Sequence, residues 1–279
     1  MKKLTLLILV VVCALAASGQ AARQKKEAPV KPAVRITDRS SSSNTKNFSA
    51  AAASNATLRN ELTWTFGGKQ QRGWYLYDLL ISKTLDTEHD TITDDFAATL
   101  AGWQKKRGLG ADGVLDEKSL MALVSQWQSN RLKVRTPATA EQLVTVPPSD
   151  FYDPGRAPEL RQVERNTYEA YKRMISAAAE DLKATGQYLK IVSAFRSREY
   201  QDELRRKSPN AGSAGLAVNS PHFTGRALDL YVGGSPVDTR DSNRAIQVNT
   251  PAYRWLVHNA ERFGFRPYFY EPWHWEYVK

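Results

Sequence analysis

The stretch SPHFTGRALDLYV, Ser220 to Val232, places His222 and Asp229 seven positions apart in a chain that has only four histidines. A histidine nitrogen and a carboxylate oxygen are both metal donors. A tetrahedral Zn²⁺ holds each at about 2.0–2.2 Å, so the two donors must approach within about 4 Å. Fully extended, the same stretch would separate them by roughly 23 Å. The chain must fold back for them to meet, and Thr224-Gly225 supplies a place to do so. The plainer reading is an ordinary turn followed by a strand with one satisfied polar residue. Other parts of the sequence have to decide between the two.

In RALDLYV, strand alternation puts Ala227, Asp229 and Tyr231 on one face and Leu228, Leu230 and Val232 on the other. Asp229 therefore points away from the aliphatic face. Two ligands are too few for a tight site, and three histidines remain. His89, in the polar run DTEHDT, reads as solvated; His258 sits at helical spacing from its aromatic and basic neighbours and reads as structural. His274 lies in EPWHWEY between Trp273 and Trp275, with Glu271 three positions before it. His222, Asp229 and His274 would leave one position open on a tetrahedral ion, the mark of a catalytic rather than a structural site. A carboxylate beside such a metal is the usual general base for hydrolysis, which makes Glu271 the candidate.

The elements that must position these residues follow from the periodicity. The chain opens with Lys2 and Lys3, an apolar run from Leu4 to about Ala17, and small residues to Ala21, the layout of a secretory signal peptide. The apolar run is short for a membrane span, with an uncleaved anchor as the alternative. The one cysteine, Cys13, would leave with residues 1–21, so no thiol chemistry is expected. The formal charge is +10, and removing Lys2 and Lys3 leaves +8. That balance suits an anionic partner; with export, a cell envelope fits better than nucleic acid. Residues 22–68, small and polar, read as a disordered linker. Residues 69–132 read as three short helices, with a stop at Gly108, a turn at Asp112-Gly113 and a cap at Asp116. A second linker is expected over 133–157, where Pro and Thr recur.

From 158 onward an amphipathic helix starting at Glu159, a strand in YLKIVSAF, a charged helix in SREYQDELRRKS, the Ser220–Val232 motif, a helix over Ala252–Phe263 and two closing strands are expected. There is no βαβ repeat, so the fold class is α+β: an antiparallel sheet with flanking helices, preceded by a small all-α domain.

Two resemblances attach to these residues. FAATLAGWQKKRGLGADGVLDEKSLMALVSQWQ resembles the small three-helix peptidoglycan-binding domains through Phe96, Leu100, Trp103-Gln104, Gly108-Leu109 and Asp112-Gly113-Val114. Over about 160–279 the chain resembles the zinc D-alanyl-D-alanine carboxypeptidases and related LAS-type peptidases. The pattern Ser-x-His-x-x-Gly-x-Ala-x-Asp is met by Ser220, His222, Gly225, Ala227 and Asp229, and Glu-x-x-His by Glu271 and His274. The resemblance implies one Zn²⁺ on His222, Asp229 and His274, with Glu271 as base. It also implies that Arg196, in SAFRSREYQ, orients the peptide and stabilises charge near the scissile carbonyl. Gln201 reads either as a substrate contact or as a solvated helix residue. Ser193 and Ser220 read as supporting groups, and Glu276 as a partner of some basic neighbour. The implied partner is peptidoglycan, and the implied place is the bacterial envelope, secreted or periplasmic. A peptidoglycan endopeptidase, an L,D-carboxypeptidase and a non-catalytic wall-binding protein are the alternatives.

Overall fold

Ala-rich sequence between residues 49 and 61 forms the first helix of the computed structural model, which describes residues 47–183, 186–208 and 217–279. The expected signal peptide, and the expected linker as far as residue 46, lie outside the described residues. From 47 to 68 the linker expectation is corrected. Helix α1 (Ser49–Glu61) is built largely from alanine, the best helix former, and packs against α3 (Asp94–Lys106). Its inward face is Ala51, Ala52 and Asn55. Asn55 is fully buried, and its amide donates to the Gly113 carbonyl at 2.9 Å while its oxygen accepts from Leu115 N–H at 2.7 Å. Small residues and one satisfied amide hold this helix down, so no hydrophobic stripe announces it.

Strands β1 (Thr63–Phe66) and β2 (Lys69–Arg72) then pair as an antiparallel hairpin. The three expected helices are α2 (Asp78–Leu85), α3 and α4 (Glu117–Ser129). The side chains of Thr93 and Asp116 cap α3 and α4 by accepting from the backbone N–H groups of Phe96 and Ser119. The helical part is thus larger than expected by one helix and one hairpin.

The expected linker over 133–157 is also built into the structure. Strand β3 (Leu143–Thr145) pairs with β4 (Gln162–Glu164), and Val146 and Phe151 are buried. Two apolar anchors in a Pro/Thr-rich background are enough to seat it. Helix α5 (Arg165–Leu182) starts later than Glu159 because β4 occupies the intervening residues. The Glu164 carboxylate caps α5, accepting from Asn166 and Thr167 N–H.

The main sheet runs β5 (Ile191–Ser193), β6 (Ala227–Leu230), β8 (His274–Tyr277), β7 (Phe265–Pro267), antiparallel throughout. Around it lie α5, α6 (Arg198–Lys207), α7 (Asp241–Val248) and α8 (Pro251–Asn259). This is the expected α+β class. One hydrophobic core continues from Trp64 and Trp127 of the helical part to Phe269 and Trp275 of the sheet part. Phe66 packs edge-on at 4.7 Å from Phe269, and Tyr77 lies 5.3 Å from the same ring. The two parts are packed together rather than loosely tethered. Among the described residues no helix is long and apolar enough to cross a membrane.

Candidate metal centre and its cleft

The fold-back between His222 and Asp229 is made by one tight turn. A 3₁₀ turn (Pro221–Thr224) begins at Ser220, whose hydroxyl accepts from His222 N–H at 3.3 Å, and ends at Gly225. Thr224 Oγ1 donates to the Pro221 carbonyl and accepts from Arg226 N–H, bracing the turn from both sides. Gly225 has φ +64°, and a Cβ there would lie 2.8 Å from Glu164 N and 2.9 Å from Leu143 Cδ2. A side chain would be strained both by conformation and by the β3–β4 hairpin behind it.

Register completes what the turn begins. Ser193 on β5 sits opposite Asp229 on β6, and Asp229 sits opposite His274 on β8. Directly paired residues on one face of a sheet bring their side chains together. His274 Nδ1 lies 2.9 Å from Asp229 Oδ1, and His222 Nε2 lies 3.3 Å from the same oxygen. One donor atom from each of the three residues lies within 4.8 Å of the others, and all three residues are buried. These are the three residues the sequence puts forward as metal donors, and their placement could hold an ion.

The other atom of each ligand is already engaged. His222 Nδ1 is 2.6 Å from the Ala194 carbonyl, so it carries the hydrogen and leaves Nε2 with its lone pair. His274 Nε2 is 3.2 Å from Glu276 Oε1, which leaves Nδ1 facing the centre. Asp229 Oδ2 accepts from Arg196 at 2.7 Å, leaving Oδ1. Outer partners of this kind fix the tautomer and aim of metal ligands. Two imidazole nitrogens and one carboxylate oxygen, converging and individually held, fit a divalent cation of the zinc type.

The electrostatics agree with that donor set. Burial pushes His222 down to about 4, helped by the Arg196 charge, so its ring is neutral. Asp229 sits well below the usual carboxylate range: burial works against this, but His222, His274 and Arg196 all favour its anion. Burial opposes protonation of His274 too, yet hydrogen bonds to Asp229 and Glu276 raise it to about 9. Glu271 is pushed up to about 8, first by burial and then by the Asp229 charge. A strongly perturbed carboxyl in a cleft beside a ligand set is a functional signal.

Glu271 lies in the tight connection between β7 and β8. Its N–H donates to the Tyr268 carbonyl and its own carbonyl accepts from His274 N–H. Glu271 Oε2 consequently stands 3.9 Å from His274 Nδ1, at the edge of the ligand set. Arg196 lines the same cleft, with Nε donating to Ser193 Oγ at 3.0 Å. Gln201 is not the solvated helix residue that was one of its two sequence readings. It is buried, accepts from Arg196 at 3.4 Å and donates to the Ala217 carbonyl at 3.1 Å, so it supports Arg196. His89 and His258 are exposed, outside the cluster.

The ligand set opens into a cleft of about 630 Å³. One wall is the sheet part. The other comes from the helical part and the segment that follows it: Phe66, Gly67 and Lys69 of the β1–β2 hairpin, Gln128 of α4, and Arg131 and Arg135 just beyond it. Sequence reasoning missed this wall entirely. Glu276 has the basic partner expected of it, and that partner is Arg131. Glu276 is fully buried and pushed down to about 2: burial opposes this, but His274 and Arg131 outweigh it. Arg131 donates to Oε1 from Nε at 3.0 Å and NH2 at 2.5 Å, and Leu132 N–H donates to Oε2 at 2.8 Å. The chain from Arg131 through Glu276 to His274 ties the helical part to one of the three converging donors.

Residues 160–279 match a family model described as VanY, D-alanyl-D-alanine carboxypeptidase. A search of the curated proteins finds no match. Among solved structures, the LdcB LD-carboxypeptidase is 25% identical over 52% of this chain and 71% of its own, with a TM-score of 0.38. A mutant of the vancomycin-resistance D,D-pentapeptidase VanY in complex with Zn(II) is 22% identical, covering 55% of this chain and 89% of that one, TM-score 0.34. VanYB in complex with D-alanine-D-alanine is 21% identical, covering 53% and 84%, TM-score 0.32.

Proposed function

We propose that this chain, whose residues 160–279 carry a VanY-type carboxypeptidase domain, is a zinc-dependent hydrolase of peptidoglycan stem peptides, acting as a D-alanyl-D-alanine carboxypeptidase. The observation that carries this reading is the convergence of His222, Asp229 and His274 beside a buried Glu271 at one cleft. His222 Nε2, Asp229 Oδ1 and His274 Nδ1 would hold one Zn²⁺. When bound, that ion supplies Lewis acidity, polarising a carbonyl and acidifying water. Everything else is done by the chain itself. Glu271, whose carboxylate stands at the edge of the ligand set, takes a proton from the attacking water and returns it to the leaving amine. Arg196 places a fixed positive charge next to the scissile carbonyl, where negative charge develops. Its anchorage to Ser193, Gln201 and Asp229 keeps that charge from wandering. The 69–132 helical part brings wall affinity as well as one wall of the cleft, and the enzyme works in the bacterial envelope after removal of residues 1–21.

The sequence departs from any shared pattern around the cleft rim, so an L,D-carboxypeptidase or an endopeptidase is the second reading. LdcB among the similar structures is described as an LD-carboxypeptidase. The test is digestion of defined muropeptides with product masses read directly. A pentapeptide stem that loses one alanine supports the D,D reading. Loss of alanine from a tetrapeptide stem supports the L,D reading, and cleavage of a crosslinked dimer into two monomers supports the endopeptidase reading. No change in any of the three sinks the hydrolase.

Arg131 gives a separate expectation. Substitution Arg131→Met keeps an unbranched apolar stem but removes both the guanidinium that covers the Tyr268 ring at 3.9 Å and the cation beside Glu276. Zinc affinity measured by chelator competition should fall about 10- to 100-fold, the usual cost of losing an outer partner. Unchanged affinity would show that the helical part does not tune the metal site.

A further inference from the structure

The cleft carries more positive charge than its own carboxylates neutralise. Of the four cations lining it, Arg196 is paired with Asp229 and Arg131 with Glu276. Lys69 and Arg135 line it as well, and among the described residues neither pairs with a carboxylate. Arg135 is held in place by donating to the Asn219 carbonyl at 2.7 Å. That bond uses one N–H of a guanidinium that has five, so most of the fork stays unspent. Asn219 directly precedes Ser220, which opens the His222 turn, so the anchored Arg135 is fixed relative to the ligand set. Lys69 reaches the same space from the β1–β2 hairpin.

We infer that Arg135, with Lys69 beside it, forms a substrate-carboxylate subsite supplied by the helical part of the chain, outside residues 160–279. A half-enclosed cleft with two unmatched cations attracts an anion, and a planar guanidinium prefers a carboxylate it can meet with two parallel N–H groups. The inference rests on the proposed stem-peptide reading and deepens it. A stem peptide offers two such groups, the carboxylate at its C-terminus and the free carboxylate of its internal glutamate. If the C-terminal group is the one held, the enzyme is bound to trim chain ends, since a crosslinked peptide has that carboxylate displaced from the scissile bond.

The test is calorimetric binding of L-Ala-γ-D-Glu-L-Lys-D-Ala-D-Ala to the zinc-loaded full chain in a Glu271→Gln background, so that turnover does not intrude. Two partner peptides are amidated, one at the C-terminus and one at the glutamate carboxylate. Adding Arg135→Gln should weaken binding of the free-acid peptide about 10- to 100-fold, the scale of a hydrogen bond to a charged group. Against one of the two amidated peptides the same substitution should change little, and that peptide identifies which carboxylate is held. Arg135→Lys should recover part of the loss. Lys69→Gln, an exposed hairpin position, should show the same selectivity at smaller size. Equal weakening for all three peptides, or none for any, overturns the subsite while leaving the peptide-hydrolase reading intact. Failure of all three peptides to bind the Glu271→Gln protein overturns that reading and the subsite with it.

Discussion

Substitution Glu271→Gln should leave one zinc bound per chain and reduce hydrolysis of a stem peptide by about 10²- to 10⁴-fold, the range contributed by a positioned general base. The expectation follows from where Glu271 stands. Its carboxylate is at the edge of the ligand set, 3.9 Å from His274 Nδ1, without being one of the three converging donors. Glutamine keeps the shape and the backbone bonds of the Tyr268–His274 connection, so the geometry of His274 should survive. Metal content by elemental analysis and turnover by product mass must be read on the same sample. Retained turnover would remove Glu271 from the mechanism. Loss of zinc along with turnover would make it a ligand instead.

The opposite pattern is expected at the ligands. His274→Ala should abolish stoichiometric zinc and hydrolysis together, and His222→Ala should do the same. Each replacement leaves two donors, too few for a tight tetrahedral site. His274→Ala has a further consequence, because Glu276 and Asp229 both lose the imidazole that holds them as buried anions. Glu276 keeps Arg131 and Asp229 keeps Arg196, but a buried carboxylate that loses one of its hydrogen bonds is destabilised, so this variant should also unfold at lower temperature than Glu271→Gln. Zinc remaining at one per chain in either histidine variant would contradict the ligand assignment.

Much of this site was legible because its parts are local. The turn at Thr224-Gly225, the alternation that turns Asp229 from the aliphatic face and the three-residue spacing from Glu271 to His274 are all short-range patterns. The structure adds the register that seats Ser193, Asp229 and His274 side by side on three strands. The cleft's second wall was not legible. Arg131 meets Glu276 across 145 positions, and nothing in the local composition of either segment marks the pairing. Helix α1 was missed for a different reason: its packing face is alanine and one buried Asn55, which in sequence resembles the polar, small-residue character of a linker. The same holds for 133–157, where Val146 and Phe151 alone anchor a Pro-rich path. The burial of Gln201 was not legible because its helix is strongly charged, and one inward residue satisfied by Arg196 and a backbone carbonyl leaves no periodic trace.

Packing of the helical part onto the sheet part also changes its meaning. A tethered binding module would raise substrate concentration and leave the chemistry alone. Here Phe66, Lys69, Arg131 and Arg135 face the cleft, and Arg131 reaches the residue that aims His274. Changes in the helical part should therefore register at the metal and in substrate choice.

The most direct measurement is anomalous diffraction at the zinc absorption edge from crystals of the full chain grown with zinc. A single peak bounded by His222 Nε2, Asp229 Oδ1 and His274 Nδ1, with Glu271 beside it, is the expected result. A peak at His89 or His258 with none at this cluster, or an empty cluster in zinc-saturated crystals, would contradict it.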